Sequence, residues 1–107
     1  MTPTTAILAD NLATPQSLIT TMLHKNGVIP RFFFGNPILE GFAIIHDGIP
    51  YVAINQSLPI DTQLHIAKRE LAHILLGHLE EGKSSIFLSE FQKRQADAEV
   101  RKGSAAQ

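Results

Sequence analysis

Residues 63–78 read Gln63-Leu64-His65-Ile66-Ala67-Lys68-Arg69-Glu70-Leu71-Ala72-His73-Ile74-Leu75-Leu76-Gly77-His78. Leu64, Ala67, Leu71, Ile74, Leu75 and, just beyond, Leu79 recur at the period of a helix rather than of a strand. Their stripe is wide, as a helix packed on a sheet requires. It leaves Glu70 and His73 one turn apart on a common side at its margin. Asp61, upstream, is a side chain able to cap such a helix. A helix over residues 63–78 with one face on a sheet is therefore expected.

The sheet comes from the residues before it. Between Gly41 and Asn55, Phe42-Ala43-Ile44-Ile45 and Tyr51-Val52-Ala53-Ile54 flank the turn dipeptide Asp47-Gly48, which predicts a β-hairpin. Pro50 has no N–H to give, so the second strand starts beside the turn or exposes that position at an edge. Arg31-Phe32-Phe33-Phe34-Gly35 fits either an extended segment or a loop pinned under the sheet. Burial of its aromatics is favoured over an exposed partner-binding patch.

Helices are expected at both ends. Thr14-Pro15 reads as an N-cap with proline at the first helical position, Leu18, Ile19, Met22 and Leu23 share the following face, and Asn26-Gly27 ends it. Glu80 to Ser85 reads as a polar connection. Ser89-Glu90-Phe91-Gln92 then has the capping-box pattern, and Gly103 can stop a last, mostly polar helix whose apolar residues are Phe91, Ala96, Ala98 and Val100. Ser104 to Gln107 is expected to be a disordered tail. The elements predict one α+β domain over residues 1–103: a small sheet with a β-hairpin packed against a central helix, plus N- and C-terminal helices.

With 107 residues and a net charge of −1, the chain suits a single modest core and has no broad attraction for nucleic acid or acidic membranes. Lys93, Arg94, Arg101 and Lys102 alternate with Glu90, Asp97 and Glu99, a solvated mixed-charge helix rather than a nucleic-acid face. There is no cysteine, so a metal would have to be held by histidine and carboxylate. The first 23 residues hold no Lys or Arg and no long apolar run, so neither a secretory signal nor a membrane span is read and a cytoplasmic location is expected.

Tyr51-Val52-Ala53-Ile54-Asn55, Leu58-Pro59 and Ala67 to His78 together resemble the ImmA/IrrE family of zinc metallopeptidases, in which a strand ending in Ile-Asn leads into an H-E-x-x-H helix. Lys93-Arg94-Gln95-Ala96-Asp97 is weakly similar to that family's second signature on the next helix. In the intact motif, histidines four residues apart share one zinc and the intervening glutamate serves as general base, while a later carboxylate completes the ligands. The resemblance implies a metallopeptidase fold, with His73 as metal ligand and Glu70 as base if a metal is bound. Arg69 stands at the first histidine position and has no lone pair to offer a metal. Lys93 falls at the distal acidic position, and a shift of two residues puts Gln95 there instead.

Neither nearby histidine is expected to replace the lost ligand. His65 lies about 12 Å along the axis from His73. His78, on a continuing helix, points about 140° away from it. Glu70 and His73 with Glu90, Asp97 or Glu99 could form a rebuilt site, against the repulsion of Arg69. His73 as a hydrogen-bonded histidine at the core margin is an equal reading. His24 and His46 are expected to be exposed and unpaired.

The favoured expectation is a domain without zinc that binds a regulatory protein, by resemblance a helix-turn-helix repressor of the phage or mobile-element type. The alternative is an active zinc endopeptidase with a rebuilt site that cleaves such a repressor. The short last helix is further expected to leave an apolar face for self-association.

Overall fold

The computed structural model describes residues 14–103. Along them run helix α1 (Pro15–Lys25), strands β1 (Ile29–Phe33), β2 (Gly41–His46) and β3 (Ile49–Asn55), helix α2 (Ile60–Leu75), a 3₁₀ turn (Ser85–Phe87) and helix α3 (Glu90–Lys102). The class is α+β, as expected. The tail at 104–107 lies outside the described residues.

Local chemistry sets most boundaries. Thr14 Oγ1 accepts from Ser17 N at 3.2 Å and opens α1. Ser89 and Gln92 form a reciprocal capping box at the start of α3. The hairpin turns on Asp47 and Gly48, both at positive φ (52° and 77°), the type I′ geometry whose twist matches the flanking strands.

Strand order is β1-β3-β2, with β1 parallel and β2 antiparallel to the central β3. The aromatic run thus begins as a strand, which settles the choice between strand and loop. Phe32 packs on the core and the Phe33 ring lies 6.5 Å from that of Phe42, but Phe34, past the strand end, is 71% exposed, against the expected burial. Pro50 stands opposite Ile45. Ile45 O accepts from Gly82 N and Ala43 N donates to Ser85 Oγ on the outer side of β2. The Ile45–Pro50 pair therefore exchanges no ladder bond, and proline is tolerated there.

Two expectations about α2 need correction. The helix begins at Ile60 behind Pro59 (φ −55°, ψ 149°), whose carbonyl accepts from Gln63 N; Asp61 lies in the first turn and makes no capping bond. It still places negative charge at the positive end of the helix dipole. The helix also stops at Leu75 instead of running to His78. Gly77 takes φ 74°, open to glycine without penalty, and Gly77 N and His78 N return to Ile74 O and His73 O in a Schellman ending. Leu75, the last residue of α2 and expected in the apolar stripe, is exposed.

Ile19 and Leu23 of α1, Val52 and Ile54 of β3, and Ala67 and Leu71 of α2 share one core. Ile66, outside the expected stripe, is buried where α2 crosses the start of β2. A Cβ on Gly41 would come within 2.6 Å of Ala53 O and 2.7 Å of Ile66 Cγ2. Gly41→Ala should therefore cost about 2 kcal/mol through overpacking, read as a lower urea midpoint. A midpoint equal to the parent's would show that both β3 and α2 can yield without loss. On the other side of α2, buried Ala72 packs with Ala96 and Val100 of α3, while Phe91 stays 62% exposed. Among the described residues no helix is long and apolar enough to cross a membrane.

Candidate functional site

A cleft of about 520 Å³ opens along α2. Glu70 and His73 lie in its lining, α3 contributes Lys93 and Asp97, and the segment before β2 contributes Ile38 and Glu40. That last wall is held by Asn55, whose Nδ2 donates to Asn36 O and Leu39 O at 2.7 and 3.1 Å. Asn36 Oδ1 in turn accepts from Ile38 N and Leu39 N, so an exposed loop is fixed from beneath by one buried amide.

Arg69 and Glu70, adjacent in sequence, are joined in space. Arg69 Nε and Nη2 donate to Glu70 Oε2 at 3.3 and 3.2 Å, and Nη1 lies 3.7 Å from Glu40 Oε1. Ser85 Oγ donates to the other Glu70 oxygen at 2.6 Å while accepting from Ala43 N at 2.9 Å. Both carboxylate oxygens of Glu70 are thus engaged, and the residue is only 3% exposed. Burial raises its pKa above the ordinary carboxylate value, and the Ser85 hydrogen bond and the Arg69 charge pull in the opposite direction.

His73 is 2% exposed. The Schellman ending brings His78 back over it, with Nδ1 to Nδ1 at 2.9 Å, and His78 Nε2 meets Gln95 Oε1 at 3.0 Å. This corrects the expectation that His78 points elsewhere, which assumes that the helix continues through Gly77. With both rings neutral and Gln95 Oε1 accepting from His78 Nε2–H, His78 Nδ1 accepts from His73 Nδ1–H. His73 Nε2 is then a lone-pair acceptor, and it has no partner among the described residues. Burial, the His78 ring and Arg69 lower the His73 pKa to about 4, so the ring is neutral at neutral pH.

Glu70, His73, Arg69 and Lys93 line one cleft, together with Glu90 and Asp97. Gln95, the alternative to Lys93, turns to His78 instead. His65 is exposed and stands apart from the cleft, and Glu99 is not in its lining. His46, expected to be unpaired, lies 3.4 Å from Asp47.

The donor set does not fit a zinc ion. Arg69 supplies no lone pair and occupies one oxygen of Glu70. Among the described residues the one trio of ligand-type atoms within 4.8 Å of each other belongs to His46, Asp47 and Glu81, outside the cleft. There Glu81 accepts from Asp47 N and Gly48 N and so serves as a cap on the hairpin turn.

Sequence reasoning gives Ser85 and Glu40 no role. Ser85 closes a stretch that reads as a polar connection, and only the fold carries it under Glu70. Its one signal is a hydroxyl directly before the apolar Ile86-Phe87-Leu88. Glu40 has no signal at all. Compared with models of protein families, with curated proteins and with solved structures, the chain matches none.

Proposed function

We propose that this chain is a binding domain of metallopeptidase-like ancestry that works without zinc, its cleft receiving a segment of a regulatory protein that it holds rather than cleaves. The observation that carries the reading is the Arg69–Glu70 pair: a guanidinium neutralises the carboxylate that a peptidase of this type would keep for its water. Engaged by Arg69 and Ser85, Glu70 holds the fold together and is not free to take a proton from a nucleophile. The resemblance of residues 67–78 to the ImmA/IrrE helix makes a helix-turn-helix repressor the partner class, in the cytoplasm.

Zinc content tests this. Full-length protein purified without chelator should carry far less than stoichiometric zinc by elemental analysis, whereas Arg69→His combined with Lys93→Glu, which supplies a second imidazole and a carboxylate facing His73, should approach stoichiometric binding. Stoichiometric zinc in the parent, with ligands in the cleft, would refute the proposal. The rival reading, a peptidase with a rebuilt site, draws on the open lone pair of His73 Nε2 with Asp97 in the same cleft. It requires chelator-sensitive cleavage that His73→Ala abolishes.

A further inference from the structure

The charges lining the cleft do not balance. Arg69 is shared between Glu40 and Glu70, at 3.7 and 3.2 Å, so that with both carboxylates ionised the trio keeps an excess negative charge. Lys93 is matched by Glu90 at 3.9 Å. Asp97 makes no ion pair among the described residues, and its charge acts on His73.

A second, independent feature points the same way. His73 is all but fully buried, and its Nδ1–H is spent on His78. Its Nε2 remains an acceptor without a partner on a ring that lines the cleft. That atom is not sealed from solvent, but a partner covering the cleft strips its hydration and must then supply a donor there, not another acceptor. Beside these polar groups the wall is apolar: Ile38 is 88% exposed and Ile86 43% exposed.

We infer that the cleft binds an exposed segment of a protein partner through a lysine or arginine side chain, whose N–H donors meet the Asp97 carboxylate and His73 Nε2, while apolar neighbours of that side chain cover Ile38 and Ile86. This rests on the binding-domain reading above and adds the chemistry of what is bound. An acidic side chain would have to displace a carboxylate from Arg69 or face Asp97. A wholly apolar segment would bury Asp97 and His73 Nε2 with nothing to satisfy them. A basic side chain with apolar neighbours meets every requirement of the lining at once, and charge complementarity of this kind sets specificity as well as encounter rate.

Three capped peptides test it against the full chain by amide-resolved NMR titration: acetyl-Leu-Arg-Leu-amide, the same peptide with Gln at its centre, and the same with Glu. The Arg peptide should shift the amides of Ile38, Gly41, His73 and Ile86 and bind about fivefold more tightly than the Gln peptide, with the Glu peptide weakest. Salt should reduce the difference. Asp97→Asn, whose spectrum reports its own folding, should weaken the Arg peptide about threefold and leave the Gln peptide unchanged. Equal or tighter binding of the Glu peptide, or shifts confined to residues outside the cleft, overturns the inference but leaves a binding domain standing. If none of the three shifts the cleft amides at millimolar concentration the inference is also overturned, and stoichiometric zinc in the same sample then removes the binding-domain reading with it.

Discussion

Replacing Arg69 by methionine should destabilise the fold by about 3 kcal/mol near pH 7, because it strands a buried carboxylate. Methionine keeps an apolar stem of similar reach and removes the guanidinium. Glu70, 3% exposed, is then left with the Ser85 hydroxyl on one oxygen and nothing on the other. Its pKa, already raised by burial, must climb further once the Arg69 charge is gone. The sign of the pH dependence follows. The penalty belongs to the ionised form, so it is full above the folded pKa of Glu70 in the variant and shrinks as the pH falls through that value and the carboxyl takes a proton. Urea unfolding near pH 7 and near pH 5 should show the smaller deficit at the lower pH. Adding Glu70→Gln should recover most of the loss, since an amide still accepts from Ser85 and leaves no charge to be neutralised. An equal deficit at both pH values, or no recovery with Glu70→Gln, would mean that Arg69 acts by packing alone.

The same cluster marks the limit of what the chain discloses before it folds. Where structure is decided by neighbours in sequence, the residues announce it. Thr14-Pro15, Asp47-Gly48 and Ser89 with Gln92 each fix a cap or turn by chemistry within four residues, and all three are where they are expected. Gly41 to Asn55 pairs as a hairpin for the same reason. Arg69 is legible as a residue that cannot bind metal. That it is compensated is not, because Glu40 and Ser85 reach the site from β2's approach and from the turn before α3, far along the chain. His78 shows a different failure. Its predicted direction comes from extending the helix through Gly77, and a glycine able to take positive φ lets the helix end there and folds His78 onto His73. A helical period places residues correctly only as far as the helix lasts. Lys93 and Gln95 could not be ranked on sequence because two residues of shift suit a weak motif equally well. In space they diverge, Lys93 to the cleft and Gln95 to His78.

Acidification should weaken the fold through His73. Burial first, then the His78 ring and the Arg69 charge, bring its pKa to about 4 from the ordinary 6.5, and Asp97 offsets this only in part. The unfolded chain takes up its proton near 6.5 and the folded chain near 4, so between those values the unfolded state binds more protons and stability rises with pH. The contribution is complete above the upper value, drains as the pH falls through the window and is gone below the lower one; across the window it amounts to about 3 kcal/mol. Glu70 runs the other way. Its pKa is raised from the ordinary value of 4.5, so above that value the folded state holds more protons until the carboxyl ionises, and stability is lost as pH rises through this range. Where the two ranges overlap they offset, which is why the parent protein alone would understate the effect. In the Glu70→Gln background the opposing group is absent, and the unfolding free energy should fall by about 3 kcal/mol between pH values of about 7 and about 4. The Hε1 resonance of His73 should hold its neutral-form shift over most of that range. A level stability profile, or a His73 resonance that titrates near 6.5, would show that burial does not hold the ring neutral in solution.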